Sequence, residues 1–193
     1  MGSYIKNNKH LLTSQITNQF GAAMMGILLS ASVGMSKNPT LILIASIFSV
    51  VFYMILQYTS LWDAGARDII RVEGGRLDYK PYAGFVMGLL AGIPNFVIAA
   101  LVGVGTVFGN NSTFDYAWAD SLYTTGRFIG LFWESMYNGL IQLYSPNNPV
   151  AFFLIPLPGL FVAGIAYYAG MKNFRIIRRK RKAQTPAAKK GKR

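Results

Sequence analysis

The chain has 193 residues, of which 52% are hydrophobic and only 13% are charged, and its formal net charge is +12. Ordinary soluble domains carry about 25% charged residues, so this composition argues against a soluble protein. The chain has no cysteine and one histidine, which excludes disulfides and thiolate nucleophiles and leaves too few ligands for a histidine-based metal or catalytic site.

Four stretches of the chain contain no Asp, Glu, Lys or Arg: 10–36, 38–62, 81–114 and 135–171. A helix needs roughly 20 mostly apolar residues to cross a bilayer, so each stretch is long enough. The sequence therefore predicts an all-α polytopic membrane helix bundle, with a single membrane domain over 1–171. The predicted transmembrane helices cover about 13–35, 41–62, 82–108 and 151–171.

Small residues recur every four positions in the first and third predicted helices. This spacing places them on one helix face, where the missing side chains let two helix backbones approach closely. We predict that both faces are helix-packing contacts, formed by Ala22, Gly26, Ser30 and Gly34 in the first helix and by Gly84, Gly88 and Gly92 in the third.

The loop between the second and third predicted helices contains four of the chain's seven acidic residues. Asp63 and Arg67 are spaced i,i+4, and Asp68 and Arg71 are spaced i,i+3, so each pair can attract if the helix continues into the loop. The loop is then a polar surface whose charges are neutralised locally. We predict that it docks a partner protein through Asp63, Arg67, Asp68, Arg71, Glu73, Arg76 and Asp78.

Pro94-Asn95 lies near the middle of the third predicted helix. Proline removes a backbone hydrogen bond and kinks a helix, and a carbonyl freed inside a membrane must be satisfied by protein or water. Two interpretations stay open. Asn95 is either a ligand at a substrate or ion position, or it bonds a neighbouring helix at a purely structural kink.

The stretch Phe128–Tyr144 is apolar but contains Glu134 and follows Arg127. On one helix Arg127, Glu134 and Asn138 would share a face. Lys and Arg near membrane ends collect on the cytoplasmic side, and only an even number of crossings places both termini and the charged loop there. We therefore predict an amphipathic interfacial or re-entrant helix over about 128–144 on the outer face, and a candidate polar path of Asn95, Arg127 and Glu134.

The C-terminal stretch 172–193 contains eleven of the nineteen Lys and Arg residues and no acidic residue. Next to an anionic membrane surface each base contributes ~1 kcal/mol of attraction. We predict a disordered cytoplasmic tail that contacts anionic lipid and no nucleic acid. The predicted lipid-binding residues are Arg175, Arg178, Arg179, Lys180, Arg181 and Lys182.

A short motif runs from the charged loop into the third predicted helix: Trp62, Asp63, Gly65, Arg67, Asp68, Gly75, Arg76, Gly84 and Gly88. With this motif the stretch 62–100 resembles small multipass bacterial membrane proteins that carry a W-D-x-G-x-R-D cytoplasmic loop. The resemblance implies a multipass protein of the bacterial cell membrane and brings no activity with it.

Three functions of different classes remain. The first is a non-enzymatic accessory or scaffold subunit that docks a partner with the charged loop and needs no cofactor or metal. The second is a small transporter or channel that uses the Pro94-Asn95 break. The third is a lipid-modifying membrane enzyme with Asp63 and Asp68 as metal ligands, although the loop lacks the Asp-Gly pair and the spacing of the CDP-alcohol phosphotransferase signature.

Overall fold

The computed structural model of the protein describes residues 4, 8–109, 117–144 and 148–174. These residues form eight α-helices and one short 3-10 helix, and no strand occurs within the described ranges. In chain order the helices are α1 (Lys9–Gly34), α2 (Pro39–Glu73), α3 (Ala83–Ala91), α4 (Ile93–Gly109), α5 (Ala117–Trp133), the 3-10 helix (Ser135–Tyr137), α6 (Asn138–Tyr144), α7 (Val150–Leu154) and α8 (Pro156–Met171).

The helices are long and apolar enough for a membrane protein. α1, α2 and the stretch Val150–Met171 formed by α7 and α8 each meet the requirements of a span. α3 and α4 meet them together, with a bend of 49° between them, so the described part of the chain has three candidate spans, or four if the bent pair counts as one. The predicted all-α membrane helix bundle is confirmed.

The helices run in two opposite directions along the bundle. α1 and α2 are antiparallel neighbours joined by the turn 35–38. α8 runs parallel to α2, because Gly159 lies beside Tyr53 and Gly170 lies beside Trp62. We call the end of the bundle where α1 begins and α2 and α8 end the charged end, and we call the other end the opposite end.

α2 has 35 residues and is long enough to project beyond the membrane. At 1.5 Å per residue it measures about 52 Å, against a hydrocarbon core of about 30 Å. It begins with Pro39 in its first turn, and the Asn38 side chain accepts a hydrogen bond from the Thr40 amide at 3.0 Å. It ends at Glu73, and Gly75 then takes the left-handed conformation with φ of 68°, which glycine adopts without steric cost.

The third predicted transmembrane helix is broken rather than smoothly kinked. α3 ends at Ala91, Gly92 stands between the helices, and α4 begins at Ile93 with Pro94 in its first turn. The backbone amides of Asn95 and Phe96 both reach the Gly92 carbonyl, at 3.0 and 3.2 Å. Proline has no amide hydrogen to continue the ladder, so the chain restarts a helix here in a new direction.

α5 and α6 form a helical hairpin that enters the bundle from the opposite end and returns to it. α5 runs antiparallel to α4, because Gly105 lies beside Tyr123 and Gly130 lies beside Ile98. α6 then turns back along α2. The segment predicted as one helix over 128–144 is therefore two helices separated by a 3-10 turn, and it folds back inside the bundle toward the end at which α5 enters.

The turn of this hairpin lies deep in the bundle. A Cβ added to Gly26 would lie 2.5 Å from the Met136 backbone nitrogen, and the Ser135 hydroxyl donates a hydrogen bond to the Ala23 carbonyl. Gly26 stands eight residues before the end of α1, which is about 12 Å at 1.5 Å per residue. That depth approaches the middle of a core about 30 Å thick.

Polar side chains stabilise the break between α5 and α6. The last carbonyls of a helix have no partner within the helix. Asn138 supplies one, because its side-chain amide donates to the Leu131 carbonyl at 2.9 Å. Arg127, Glu134 and Asn138 consequently do not lie on one continuous helix, and the face that they were predicted to share does not form.

Candidate functional site

The buried side of α2 is polar, and its outer side is apolar. Large apolar side chains are exposed on the outer side: Ile44, Ile47, Phe48, Val51 and Ile55. The buried side carries what we call the polar stripe: Ser46, Ser49, Tyr53 and Gln57. Spacings of three and four residues keep the stripe on one helix face. This arrangement suits a helix in lipid, where the apolar side faces outward and polar groups collect inside.

α1 contributes two buried glutamines, spaced one turn apart, which bond to α2 and α4. The Gln15 side-chain amide donates to the Ser60 hydroxyl at 2.9 Å. The Gln19 side-chain amide donates to the side-chain oxygen (Oδ1) of Asn95, beside the helix break. Asn95 is thus buried and bonded to a neighbouring helix, and its side-chain oxygen is already occupied as an acceptor.

Asp68 is a buried carboxyl group near the charged end, with 3% of its surface exposed. Three donors converge on it. The hydroxyls of Tyr4 and Tyr167 donate to Oδ2 at 2.6 and 2.9 Å, and the Arg71 guanidinium donates to Oδ1 at 3.2 Å. Charge-assisted hydrogen bonds of this kind stabilise a buried carboxylate as an ion. Burial and the bond to Asp68 raise the pKa of Tyr4, so its hydroxyl remains a donor.

Glu134 is a second buried carboxyl group, and its surroundings differ sharply. It is 0% exposed, and neither Oε1 nor Oε2 has a hydrogen-bond partner among the described residues. A Cβ added to Gly130 would lie 3.3 Å from Ile98, 3.5 Å from Phe152 and 3.8 Å from Glu134 Oε2. The carboxyl group therefore lies among apolar groups, where an unpaired negative charge costs far more than protonation.

Other buried polar atoms inside the bundle also lack a partner. Within the described ranges, four further buried side-chain atoms lack a partner: Gln15 Oε1, Gln57 Oε1, Trp133 Nε1 and the Tyr137 hydroxyl. Tyr53 and Tyr137 belong to one cluster of buried side chains, and the backbone amide of Tyr137 donates to the Glu134 carbonyl at 2.8 Å. Gln57 Oε1 and the Tyr53 hydroxyl lie 3.1 and 3.2 Å from the position of a Cβ added to Gly159. We call Glu134, Tyr137, Tyr53 and Gln57 the Glu134 cluster.

Two small hollows flank this polar interior. A groove of about 50 Å³ opens at the opposite end between α1, α2 and α6, with polar lining from Ser30, Ser46, Asn138 and Gln142. At the charged end a cleft of about 70 Å³ opens beside Asp68. The polar stripe and the Glu134 cluster lie between these two hollows along the bundle.

The predicted docking residues lie at the charged end, but they are not equivalent. Six of them are exposed: Asp63, Arg67, Arg71, Glu73, Arg76 and Asp78. Asp68 is buried, and Arg71 pairs with it from a half-exposed position. Asp78 forms an ion pair with Lys80 at 3.6 Å, whereas Asp63 and Arg67 form none in the described part of the structure. Ile70, beside them on α2, is 68% exposed.

The predicted small-residue faces occupy different environments. Ala22 and Gly26 are buried against the bundle, whereas Gly34 is exposed with no atom near its missing side chain. Ser30 lines the groove at the opposite end. Gly84 and Gly88 pack closely against α8, and Gly92 forms the break between α3 and α4.

Of the predicted polar path, Arg127 contacts the ring of Phe152, which also lies beside Gly130 near Glu134. Its guanidinium stands 5.3 Å from the centre of the Phe152 ring, and it forms no ion pair with Glu134 among the described residues. Asn95 and Glu134 are both buried. The predicted lipid-binding residues, from Arg175 to Lys182, lie outside the described residues.

The sequence analysis missed two partners of Asp68, Tyr4 and Tyr167, and three members of the Glu134 cluster, Tyr53, Gln57 and Tyr137. Tyr4 and Tyr167 reach Asp68 from 64 and 99 positions away, a convergence that no local spacing reveals. A signal was present in the polar stripe, because Ser46, Ser49, Tyr53 and Gln57 follow helical spacing within an otherwise apolar stretch.

The described side chains contain no group of three His, Cys, Asp or Glu residues that could hold a metal ion. The oxygens of Asp68, one of the two aspartates considered as metal ligands, instead accept bonds from tyrosine and arginine. Comparison of the chain with protein-family models, curated proteins and solved structures found no match.

Proposed function

We propose that the protein moves protons across its membrane as a small transporter or channel, with Glu134 as the group that takes up and releases the proton. One observation carries this proposal. Glu134 is a fully buried carboxyl group without a hydrogen-bond partner in the described structure, deep inside a membrane bundle. Ionisable groups at such positions are rare and costly, and they typically mark ion or proton pathways.

The backbone around Glu134 supports the same function. Discontinuous helices form the binding sites of many transporters, because irregular backbone inside a membrane is tolerated where it is buried in protein or lines a cavity. Here α4, the second half of the broken span, packs beside the last turn of α5, since a Cβ added to Gly130 would lie 3.3 Å from Ile98.

The polar interior supplies groups over which a proton can pass. Hydroxyl and amide groups of the polar stripe extend from the groove at the opposite end toward Asp68 at the charged end. The hollows measure about 50 and 70 Å³, which is room for only a few water molecules. Such spaces favour a proton, which passes between hydrogen-bonding groups, over a larger solute.

The proposal can be tested in vesicles that contain the purified full-length chain and a pH-sensitive dye inside. An imposed pH gradient should collapse faster in vesicles with the wild-type protein than in empty vesicles. Glu134→Gln keeps the shape of the side chain but cannot release a proton, so it should reduce the rate to that of empty vesicles.

Glu73→Gln is the matched control, because it makes the same chemical change at an exposed position. It should leave the rate of proton flux within about twofold of wild type. Equal flux from wild type and Glu134→Gln, in protein that remains folded, would overturn the proposed role of Glu134.

The charged loop supports a second function, the accessory or scaffold role. Ile70 is 68% exposed on the part of α2 that projects past the membrane core, with exposed Arg67 and half-exposed Arg71 on the same helix. We propose that this surface binds a cytoplasmic protein that has an apolar pocket with acidic side chains at its rim, and that the basic tail holds this surface against anionic lipid.

Two variants test this second function. Replacing Arg67, Arg71 and Arg76 together by alanine, or making Ile70→Ser alone, should remove the same co-purifying protein from native membranes. Lys37→Ala, a charge change at the opposite end, should retain it. A set of co-purifying proteins unchanged by the first two variants would exclude docking at this loop.

A further inference from the structure

The cleft at the charged end has a chemistry that the proton pathway does not require. It lies between the first turn of α1 and the last turns of α2 and has a volume of about 70 Å³. Its polar lining comes from Asn8, His10, Arg67, Asp68 and Arg71. Basic side chains from α2 thus meet the beginning of α1, where the positive end of the helix dipole favours negative charge.

The cleft has more free donors than acceptors. The Asp68 carboxylate is already satisfied by two tyrosine hydroxyls and by Arg71. Its bond to Arg71 also orients that guanidinium, which has five N–H donors and uses one of them for Asp68 in this structure. Arg67 is exposed and has no acidic partner among the described residues, so its positive charge is unbalanced.

Spacing brings the two arginines together. Arg67 and Arg71 are four residues apart on α2, so their side chains leave the same face of the helix. Guanidinium groups bind phosphate oxygens with paired hydrogen bonds. At about 10–15 Å³ for each water molecule, the cleft has room for about five waters, which is comparable to one phosphate group.

The position of the cleft favours a lipid as the source of that phosphate. α1 has 26 residues and measures about 39 Å at 1.5 Å per residue, against a hydrocarbon core of about 30 Å, so an α1 that crosses the membrane has its first turn at the level of the headgroups. We infer that this cleft binds the phosphate of an anionic phospholipid headgroup, between Arg67 and Arg71 of α2 and the first turn of α1. This site is distinct from the basic tail and does not depend on proton transport.

The test is native mass spectrometry of the delipidated full-length protein with added phosphatidylglycerol or phosphatidylcholine. Wild type should bind phosphatidylglycerol more tightly at its first site. Arg67→Gln removes one of the two phosphate-binding groups from an exposed position without breaking an ion pair, so it should weaken that first binding step about tenfold, which corresponds to about 1.4 kcal/mol.

Arg76→Gln is the matched control, since it makes the same charge change at an exposed position outside the cleft. It should retain binding within about twofold, and the basic tail contributes equally to both variants. Identical binding by wild type and Arg67→Gln would overturn the site, as would equal losses in the two variants.

A second arm separates the two sources of phosphate. Inorganic phosphate is added to the wild-type protein and to Arg67→Gln in the absence of lipid. Weak or undetectable binding of inorganic phosphate, with Arg67-dependent binding of phosphatidylglycerol, supports the lipid assignment. Arg67-dependent binding of inorganic phosphate without preference for phosphatidylglycerol would overturn the lipid as the ligand.

Discussion

Asp68 and Glu134 are both buried carboxyl groups in a membrane bundle, but their hydrogen-bonding environments are opposite. Asp68 receives hydrogen bonds from two tyrosines and one arginine. Glu134 has no partner among the described residues. A carboxylate with three donors is stable as an ion, whereas one without donors is favoured in its neutral form. The comparison separates a carboxyl group that holds helices together from one that is available to exchange a proton.

The largest stability effect should follow from removing the Asp68 carboxyl group. Asp68→Ala removes the acceptor of two buried tyrosine hydroxyls and the partner of Arg71, whose side chain is half exposed. An unsatisfied buried hydroxyl costs about 1–3 kcal/mol, so Asp68→Ala should cost about 2–4 kcal/mol in all. Glu134→Gln should cost less than about 1 kcal/mol, because no hydrogen bond is lost. Unfolding of both variants in detergent measures the difference, and equal destabilisation would remove the distinction between the two carboxyl groups.

The next effect tests whether the turn between α5 and α6, which carries Glu134, packs against α1. Gly26→Ala would put a methyl group 2.5 Å from the Met136 backbone nitrogen, and overpacking of this kind costs about 1–3 kcal/mol. Gly34→Ala is the control, because nothing lies within 4 Å of its added Cβ. It should be neutral or slightly stabilising in thermal unfolding, since alanine favours helix over glycine. Similar unfolding temperatures for both variants would contradict the deep position of the turn.

A smaller effect sharpens the description of Asp68. Tyr4→Phe removes one of three donors and keeps the ring, so it should cost about 1 kcal/mol, the net value of a typical hydrogen bond. Tyr4→Phe made in the Asp68→Asn variant should cost less than in the wild-type protein, because the acceptor there carries no charge. Equal costs in both backgrounds, measured by chemical unfolding, would show that Tyr4 does not bond the ionised carboxylate.

The smallest effect concerns the polar contact beside the helix break. Gln19 donates to Asn95 across two helices, and such bonds in membrane bundles contribute about 0.6 kcal/mol on average. A double-mutant cycle of Gln19→Ala and Asn95→Ala should give a coupling energy of about that size. A coupling indistinguishable from zero would mean that the two side chains act independently.

The fold class could be predicted because a helix that crosses a bilayer needs about 20 mostly apolar residues, and the sequence contains charge-free stretches of at least that length. The course of 128–144 could not be fixed in the same way. An apolar segment enters the membrane whether it crosses or turns back, and the turn depends on Ser135 and Asn138 finding partners in the folded bundle. The even number of crossings and the cytoplasmic position of the charged loop remain predictions.

The candidate site could be predicted only in part. The spacing of Asp68 and Arg71 predicted an ion pair, and in the structure Arg71 Nη1 lies 3.2 Å from Asp68 Oδ1. Burial of Asp68 was not predictable, because it depends on Tyr4 and Tyr167 arriving from distant parts of the chain. Glu134 was noticed as an acid in an apolar stretch, but its lack of a partner became visible only when the neighbouring helices were placed around it.

The protonation state of Glu134 tests the central claim most directly. A protonated carboxyl group has a carbonyl stretch in the infrared that an ionised carboxylate lacks, and it can be recorded for the protein in lipid at neutral pH. We predict such a band in the wild-type protein, its loss in Glu134→Gln and its retention in Asp68→Asn. A wild-type spectrum without that band, or a band that survives Glu134→Gln, would contradict the distinction drawn between the two buried carboxyl groups.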